Sequence, residues 1–198
     1  MTTASAPRPA GWRMIDIVVA AVLAVAFGVA FLAWNALYNW TTPLFAAVPA
    51  AQAVMYGVWL LPGVLVGLVV RRPGAALFGG FVAAAVSAFL GSQWGLDVLL
   101  SGLIQGAGAE LGFALFLYRG WHLPAAVLGG VLAGAGAAIH DIVVYYPDAG
   151  PEFKIAFAAF VVLSGAVLGG VGAWLLARAL ARRGVLAAFE SGRDQRRI

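Results

Sequence analysis

Charge-free runs of close to twenty apolar residues recur along this chain, and a bilayer is the solvent that such runs suit. They begin just after Asp16 and continue to Arg178. With 63% hydrophobic residues, 10% charged residues and a mean hydropathy of +0.96, the chain is more apolar than a soluble domain of 198 residues needs to be. It is therefore expected to be an all-α integral membrane protein, a single domain over residues 1–198. About 12–182 would be embedded, with 1–11 and 184–198 as cytoplasmic tails. The absence of cysteine excludes disulfides and thiolate metal sites. The pI near 10 raises the question of nucleic acid, but the basic residues cluster at span ends, so the partner they imply is the lipid bilayer. The first apolar run lacks a polar region and cleavage site after it and reads as a retained span.

Six transmembrane helices are expected: Met14–Trp34, Ala51–Val70, Ala75–Leu90, Val98–Tyr118, Pro124–Tyr145 and Phe153–Leu180. Pro73, Pro124 and Pro151 sit at or just before span starts, where a missing N–H does little harm. Arg8 and Arg13 precede span one, Arg71 and Arg72 follow span two, Arg119 follows span four, and six more arginines lie at or beyond the end of span six. Six spans with both termini inside put all eleven arginines on the cytoplasmic side and leave only Lys154 outside. The outer connections, Asn35–Ala50, Gly91–Asp97 and Tyr146–Glu152, are then long or aromatic, and the inner ones are tight.

Glycine occurs 26 times and repeats at four-residue spacing within spans, as in Gly63/Gly67, Gly102/Gly106, Gly108/Gly112, Gly130/Gly134 and Gly165/Gly169. This spacing sets flat patches on one helix face and lets backbones approach. Span one carries a related stripe, Ala20, Ala24 and Gly28, suited either to internal packing or to a partner helix.

Glu110 stands alone in the apolar run 101–118, and an ionisable residue inside a span marks a candidate functional site. Nine residues before Arg119, it would lie roughly 14 Å above the inner boundary, near the midplane. Gln105 lies nearer the outside, and His140 and Asp141 lie roughly 24 Å up span five. Trp34, Asn35, Tyr38, Gln93, Trp94, Tyr145 and Tyr146 cluster at the outer boundary, and Asp97 reads as the cap of span four. The cytoplasmic half shows almost no polar side chain besides its arginines. The pattern describes a cup open to the outside, with Glu110 deepest and aromatic rings at the rim. Such a cup suits a flat, nitrogen-rich, cationic small molecule. The tryptophans and tyrosines can equally be interfacial anchors.

There is no GxxxxGK phosphate loop, no HExxH and no GxSxG, and the two halves show no convincing repeat. No catalytic residue, resident cofactor or metal is expected. An intramembrane enzyme using Glu110 with His140 and Asp141 is the first alternative, although these residues differ by roughly 10 Å in depth. A structural protein packing through its glycine faces is the second.

WNALY at 34–38, GSQWG at 91–95, LIQGAGAELGF at 103–113 and AAIHDIVVYY at 137–146 together resemble the S components of energy-coupling factor (ECF) vitamin transporters, most closely the YkoE type. The resemblance spans Trp12 to Leu180. It implies a six-helix protein that binds thiamine or its hydroxymethylpyrimidine precursor from outside, in the bacterial plasma membrane. It also implies no ATPase of its own, a membrane coupling (T) subunit and a pair of ABC ATPases as partners, and one copy per transporter. By the same resemblance Ala20, Ala24 and Gly28 would contact the coupling subunit. Glu110 would hold the aminopyrimidine or offset the thiazolium charge, beside Gln105 and the tryptophans, so that Glu110→Gln would abolish binding.

Overall fold

A computed structural model describes residues 11–183, so the expected tails, Gly11 apart, lie outside the described residues. The described residues are largely helical and make six successive passes. Helix α1 covers Met14–Thr41 and is followed by 3-10 turns at Thr42–Phe45 and Pro49–Met55. Helices α2 (Gly57–Val70), α3 (Ala75–Phe89), α4 (Asp97–Ala114) and α5 (Leu123–Val144) follow. The last pass is α6 (Pro151–Ser164), a π-helical segment (Gly165–Gly172) and α7 (Ala173–Arg182) in continuous succession. Met14–Phe45, Pro49–Val70, Leu123–Val144 and Pro151–Arg182 are long and apolar enough to cross a membrane, and α3 is a shorter apolar helix.

Helix α2 is the axis of the bundle, with 11 of its 14 residues buried, and it packs on every other helix except α6 with substantial contact. It is apolar on all sides, as a helix enclosed by others should be. In lipid, association of the helices around it rests on close packing, because lipid tails are as apolar as leucine. The glycine spacing supplies that packing. A Cβ on Gly108 would lie 2.7 Å from the Ala133 Cα atom, and one on Gly170 would lie 2.7 Å from the Val127 Cα atom. Gly112 faces Gly129, and Gly130 faces the Gly165 carbonyl, with no room for a methyl group. Helix α5 thus meets α4 and the π segment backbone to backbone. The sixth pass, expected as one regular helix, widens into the π segment at this contact. Ser164, just before it, donates to the Val54 carbonyl and accepts from the Gly57 N–H, tying the last pass to the start of α2.

The stripe on α1 is internal. Ala20 and Ala24 are fully buried, and a Cβ on Gly28 would lie 2.5 Å from the Val86 Cβ atom of α3. The expected use of Ala20, Ala24 and Gly28 as a coupling-subunit surface is therefore corrected: α3 already fills that face. The opposite side of α1 exposes Val18, Val22, Val25 and Val29.

Glu110 is also corrected. Its carboxylate accepts from the backbone N–H groups of Gly74 (2.6 Å), Ala76 (2.9 Å) and Leu77 (3.2 Å), at the N-terminus of α3. The Tyr118 phenol lies nearby, and burial, then this carboxylate, raise it to about 12. Three backbone donors thus converge on one carboxylate. The remaining donor of this turn, Ala75 N–H, goes to the Arg72 carbonyl. Helix α3 has 15 residues, so it is only about 22 Å long, short of a core of about 30 Å. Its end must be satisfied inside the protein, and a negative charge suits the positive end of the helix dipole. The depth expectation failed because α4 stops at Ala114, and Leu117 and Tyr118, both at positive φ, turn the chain back. Glu110 is thus four residues, about 6 Å, from the helix end.

The arginine-bearing end holds a second carboxylate that the sequence reading missed. Asp16 is fully buried, bonded to Arg13 at 2.9 Å and 3.6 Å from Arg72. Trp12 closes the same corner by donating to the Pro73 carbonyl. The arginine-bearing half is therefore not free of polar side chains: Asp16 and Glu110 lie in it.

Two stability outcomes follow. Glu110→Ala leaves three backbone donors without an acceptor and is expected to cost about 1–3 kcal/mol, read as a lower thermal midpoint in detergent. Gly130→Ala forces a methyl group into the Gly165 carbonyl and is expected to cost a similar amount, about 1–3 kcal/mol, by the same measurement.

Candidate functional site

At the end of the bundle opposite the arginines, α1, α3, α4 and α5 line a cavity that is partly open to the surroundings. Helix α1 contributes Phe31 and Asn35, the start of α2 contributes Tyr56 and Trp59, and α3 contributes Ser87. Trp94 comes from the α3–α4 connection, Asp97, Ser101 and Gln105 come from α4, and Asp141 and Tyr145 from the end of α5.

One wall is aromatic. Trp59 and Trp94 meet edge to face with ring centres 5.2 Å apart. Tyr38 backs them, 5.2 Å from Trp59 and 6.0 Å from Trp94, and Tyr56 packs edge-on against Trp59 at 5.3 Å. Trp59 is fixed in azimuth by donating its indole N–H to the Asn35 side-chain oxygen at 3.0 Å. This is why Asn35 is buried one turn below the rim. Such edge-to-face contacts hold ring faces in place.

The other wall is charged. The Tyr56 hydroxyl donates to Asp141 Oδ2 at 2.6 Å, and Asp141 Oδ1 lies 2.8 Å from His140 Nδ1. His140 Nε2 lies 3.3 Å from Asp97 Oδ1, close enough for an ion pair though not aligned as a hydrogen bond. The Tyr145 hydroxyl donates to Asp97 Oδ2 at 2.5 Å. Burial, then the bond to Asp97, push the Tyr145 phenol above its ordinary range, so it remains a donor. The chain Tyr56–Asp141–His140–Asp97–Tyr145 thus links the start of α2, the end of α5 and the first turn of α4. Asp97, expected as the cap of span four, is inside the first turn, and its carboxylate is spent on this chain instead. Deeper in the cavity, Gln105 donates to the Ser101 hydroxyl at 2.7 Å.

Of the residues singled out from sequence, Asn35, Trp94, Gln105, Asp141 and Tyr145 line the cavity. Tyr38 and His140 stand immediately behind its walls. Trp34 instead donates to the Met55 carbonyl at 3.2 Å, and Gln93 is exposed and bonded to Asn39. Glu110 lies at the other end of α4, so the expected grouping of Glu110 with His140 and Asp141 is not assembled. Phe31, Tyr56, Trp59, Ser87, Asp97 and Ser101 line the cavity and were not anticipated. The available signal was the pair Tyr56 and Trp59, three apart at the start of span two and hence on one helix face.

Comparison with known proteins agrees with this architecture. The family model described as "ABC-type cobalt transport system, permease component" matches residues 15–136. The "Putative HMP/thiamine permease protein YkoE" of Bacillus subtilis (strain 168) is 30% identical over 184 residues, 92% of each chain. A crystal structure of an S-component of an ECF transporter superposes with a TM-score of 0.89 at 29% identity, covering 94% of each chain. These relatives are transport components of multi-pass, helical form. The chain belongs to the YkoE-type family of S components, the substrate-binding membrane subunits of ECF importers.

Proposed function

We propose that the cavity captures thiamine or its hydroxymethylpyrimidine precursor from the outer side of the bacterial plasma membrane. Uptake is then driven by ATP hydrolysis in partner subunits: a membrane coupling subunit and a pair of ABC ATPases. The observation that carries the ligand class is the Trp59–Trp94 corner facing Asp97 and Asp141. Flat heteroaromatic rings stack on the indoles, and a thiazolium cation or an exocyclic amine finds the carboxylates. Ser101 and Gln105 supply short and long polar arms below, suited to ring nitrogens or a hydroxymethyl group. The name of the Bacillus relative points to the same ligands.

The description of the matching family model names cobalt. Among the described residues no group of three or more His, Cys, Asp or Glu is arranged to hold a metal ion. Five of the cavity's lining residues are aromatic, Phe31, Tyr56, Trp59, Trp94 and Tyr145, which favours an organic ring. An enzyme reading loses its motivation, because Glu110 is committed to α3 and the remaining carboxylates are engaged with tyrosines and His140.

Titrating detergent-purified protein with thiamine, while following the fluorescence of its seven tryptophans, is expected to give saturable one-to-one quenching. Trp94→Ala should weaken binding about tenfold or more, the loss of one stacking partner being worth about 1–3 kcal/mol. Glu110→Gln, in whatever fraction remains folded, should bind as wild type does. A wild-type protein that shows no saturable response to thiamine or to hydroxymethylpyrimidine overturns the proposal.

A further inference from the structure

Asn35 leaves half of its amide unspent. It is 7% exposed and lines the cavity from α1. Its Oδ1 accepts from the Trp59 indole at 3.0 Å. An indole N–H can only donate, so this bond settles which end of the amide is which. The oxygen is turned to Trp59, and the NH2 group is left over. Among the described residues no acceptor takes Nδ2, and the atom is open to the cavity rather than sealed within the protein. A buried amide ordinarily has partners for its donors. A leftover donor on a cavity wall is matched by an acceptor that a ligand brings.

The walls of the cavity divide the work. Helices α1 and α3 bring no charged side chain to it, whereas α4 and α5 bring Asp97 and Asp141. The remaining polar groups are engaged differently from Asn35. The Tyr56 and Tyr145 hydroxyls donate to the carboxylates, and Gln105 donates to Ser101, which leaves the Gln105 oxygen as an acceptor. Resting on the reading of the cavity as a pyrimidine site, we propose that the Asn35 NH2 group reads a ring nitrogen of the ligand. In an aminopyrimidine one ring nitrogen lies para to the amine. A ring whose amine meets the α4–α5 wall therefore carries a lone pair on its opposite edge, and Asn35 takes that lone pair. The bond that holds the Trp59 indole for stacking also keeps the amide in its donor orientation. Turning the amide over would set its NH2 group against the indole N–H. The site thus selects rings with an in-plane acceptor and rejects rings of equal shape that carry C–H there.

A cycle of two ligands and two proteins isolates this contact. Hydroxymethylpyrimidine is compared with 2-amino-4-methylbenzyl alcohol, which keeps the amine, methyl and hydroxymethyl groups and replaces both ring nitrogens by C–H. Affinities are measured by calorimetry on the full-length protein at alkaline pH, where both rings are neutral. Wild type is expected to prefer the pyrimidine by about tenfold or more. Asn35→Leu should reduce that preference to about threefold or less. Displacement of Trp59 alone would weaken both ligands alike and leave the ratio unchanged. An unchanged ratio in Asn35→Leu overturns the inference and leaves the proposed function standing, as does a wild type that binds both rings equally. Where the variant fails to fold or binds neither ring, the side-chain amide resonances of wild type decide. Asn35 and Asn39 are the only asparagines in the chain, so isotopically labelled asparagine gives two amide groups to follow. The Asn35 amide protons should move downfield with the pyrimidine and not with the benzyl alcohol, and the absence of that difference overturns the inference. Absence of binding by both hydroxymethylpyrimidine and thiamine overturns the inference and the function together.

Discussion

A helix that ends inside a bilayer must find partners for its terminal N–H groups within the protein, and the Glu110 carboxylate meets that demand for α3. The arrangement fixes the level of α3. With its N-terminus held at the arginine-bearing end, a helix about 22 Å long stops before the outer boundary. The chain then turns at Gly91, where φ is +88°, and the Ser92 N–H returns to the Ser87 carbonyl. Trp94 is delivered into the space above. The cavity thus follows from a short helix anchored low, with the α3–α4 connection supplying an indole where another turn of helix would have filled the volume.

The same economy of volume runs through the rest of the bundle in the opposite sense. Where α4, α5 and the π segment meet, glycine removes side chains until backbones touch, and nothing larger than a hydrogen fits at Gly112 or Gly130. Lipid offers no hydrophobic drive to close such seams, so the stabilisation comes from contact itself. Close packing at these seams contrasts with the other end of the bundle, where a cavity opens beside Asp97 and Asp141.

The helices were legible because their signals are local: apolar length, arginines at one end, glycine at a four-residue repeat. The resemblance was legible because four short segments carry it. What one helix faces is not a local property. The Ala20, Ala24 and Gly28 stripe was correctly seen as a contact surface, but sequence spacing is silent on whether the partner is α3 or another protein, and here it is α3. Asn35, Trp94, Gln105, Asp141 and Tyr145 line one cavity because each lies near the same end of its helix or in the connection beside it. Glu110 was misplaced because its depth was measured along a helix that ends at Ala114, five residues before Arg119. Tyr56 and Trp59 were hidden in an otherwise apolar span, where aromatic side chains read as filler.

The error over Glu110 carries a physical lesson about where function resides in a membrane interior. A solitary carboxylate in an apolar run is conspicuous because it is costly, and a costly group survives by becoming completely satisfied. Glu110 takes three backbone N–H donors at the start of α3, all fixed to the protein. Asp97 and Asp141 are less conspicuous because each sits near a helix end, where a polar residue has an ordinary explanation. Yet they share a single imidazole and face an open volume. Each has one oxygen bonded to a tyrosine and the other competing for the same ring, so the pair is held together but not saturated. A site that exchanges ligands needs that incompletely satisfied charge, supported behind and exposed in front, whereas a site that holds a fold together needs the opposite.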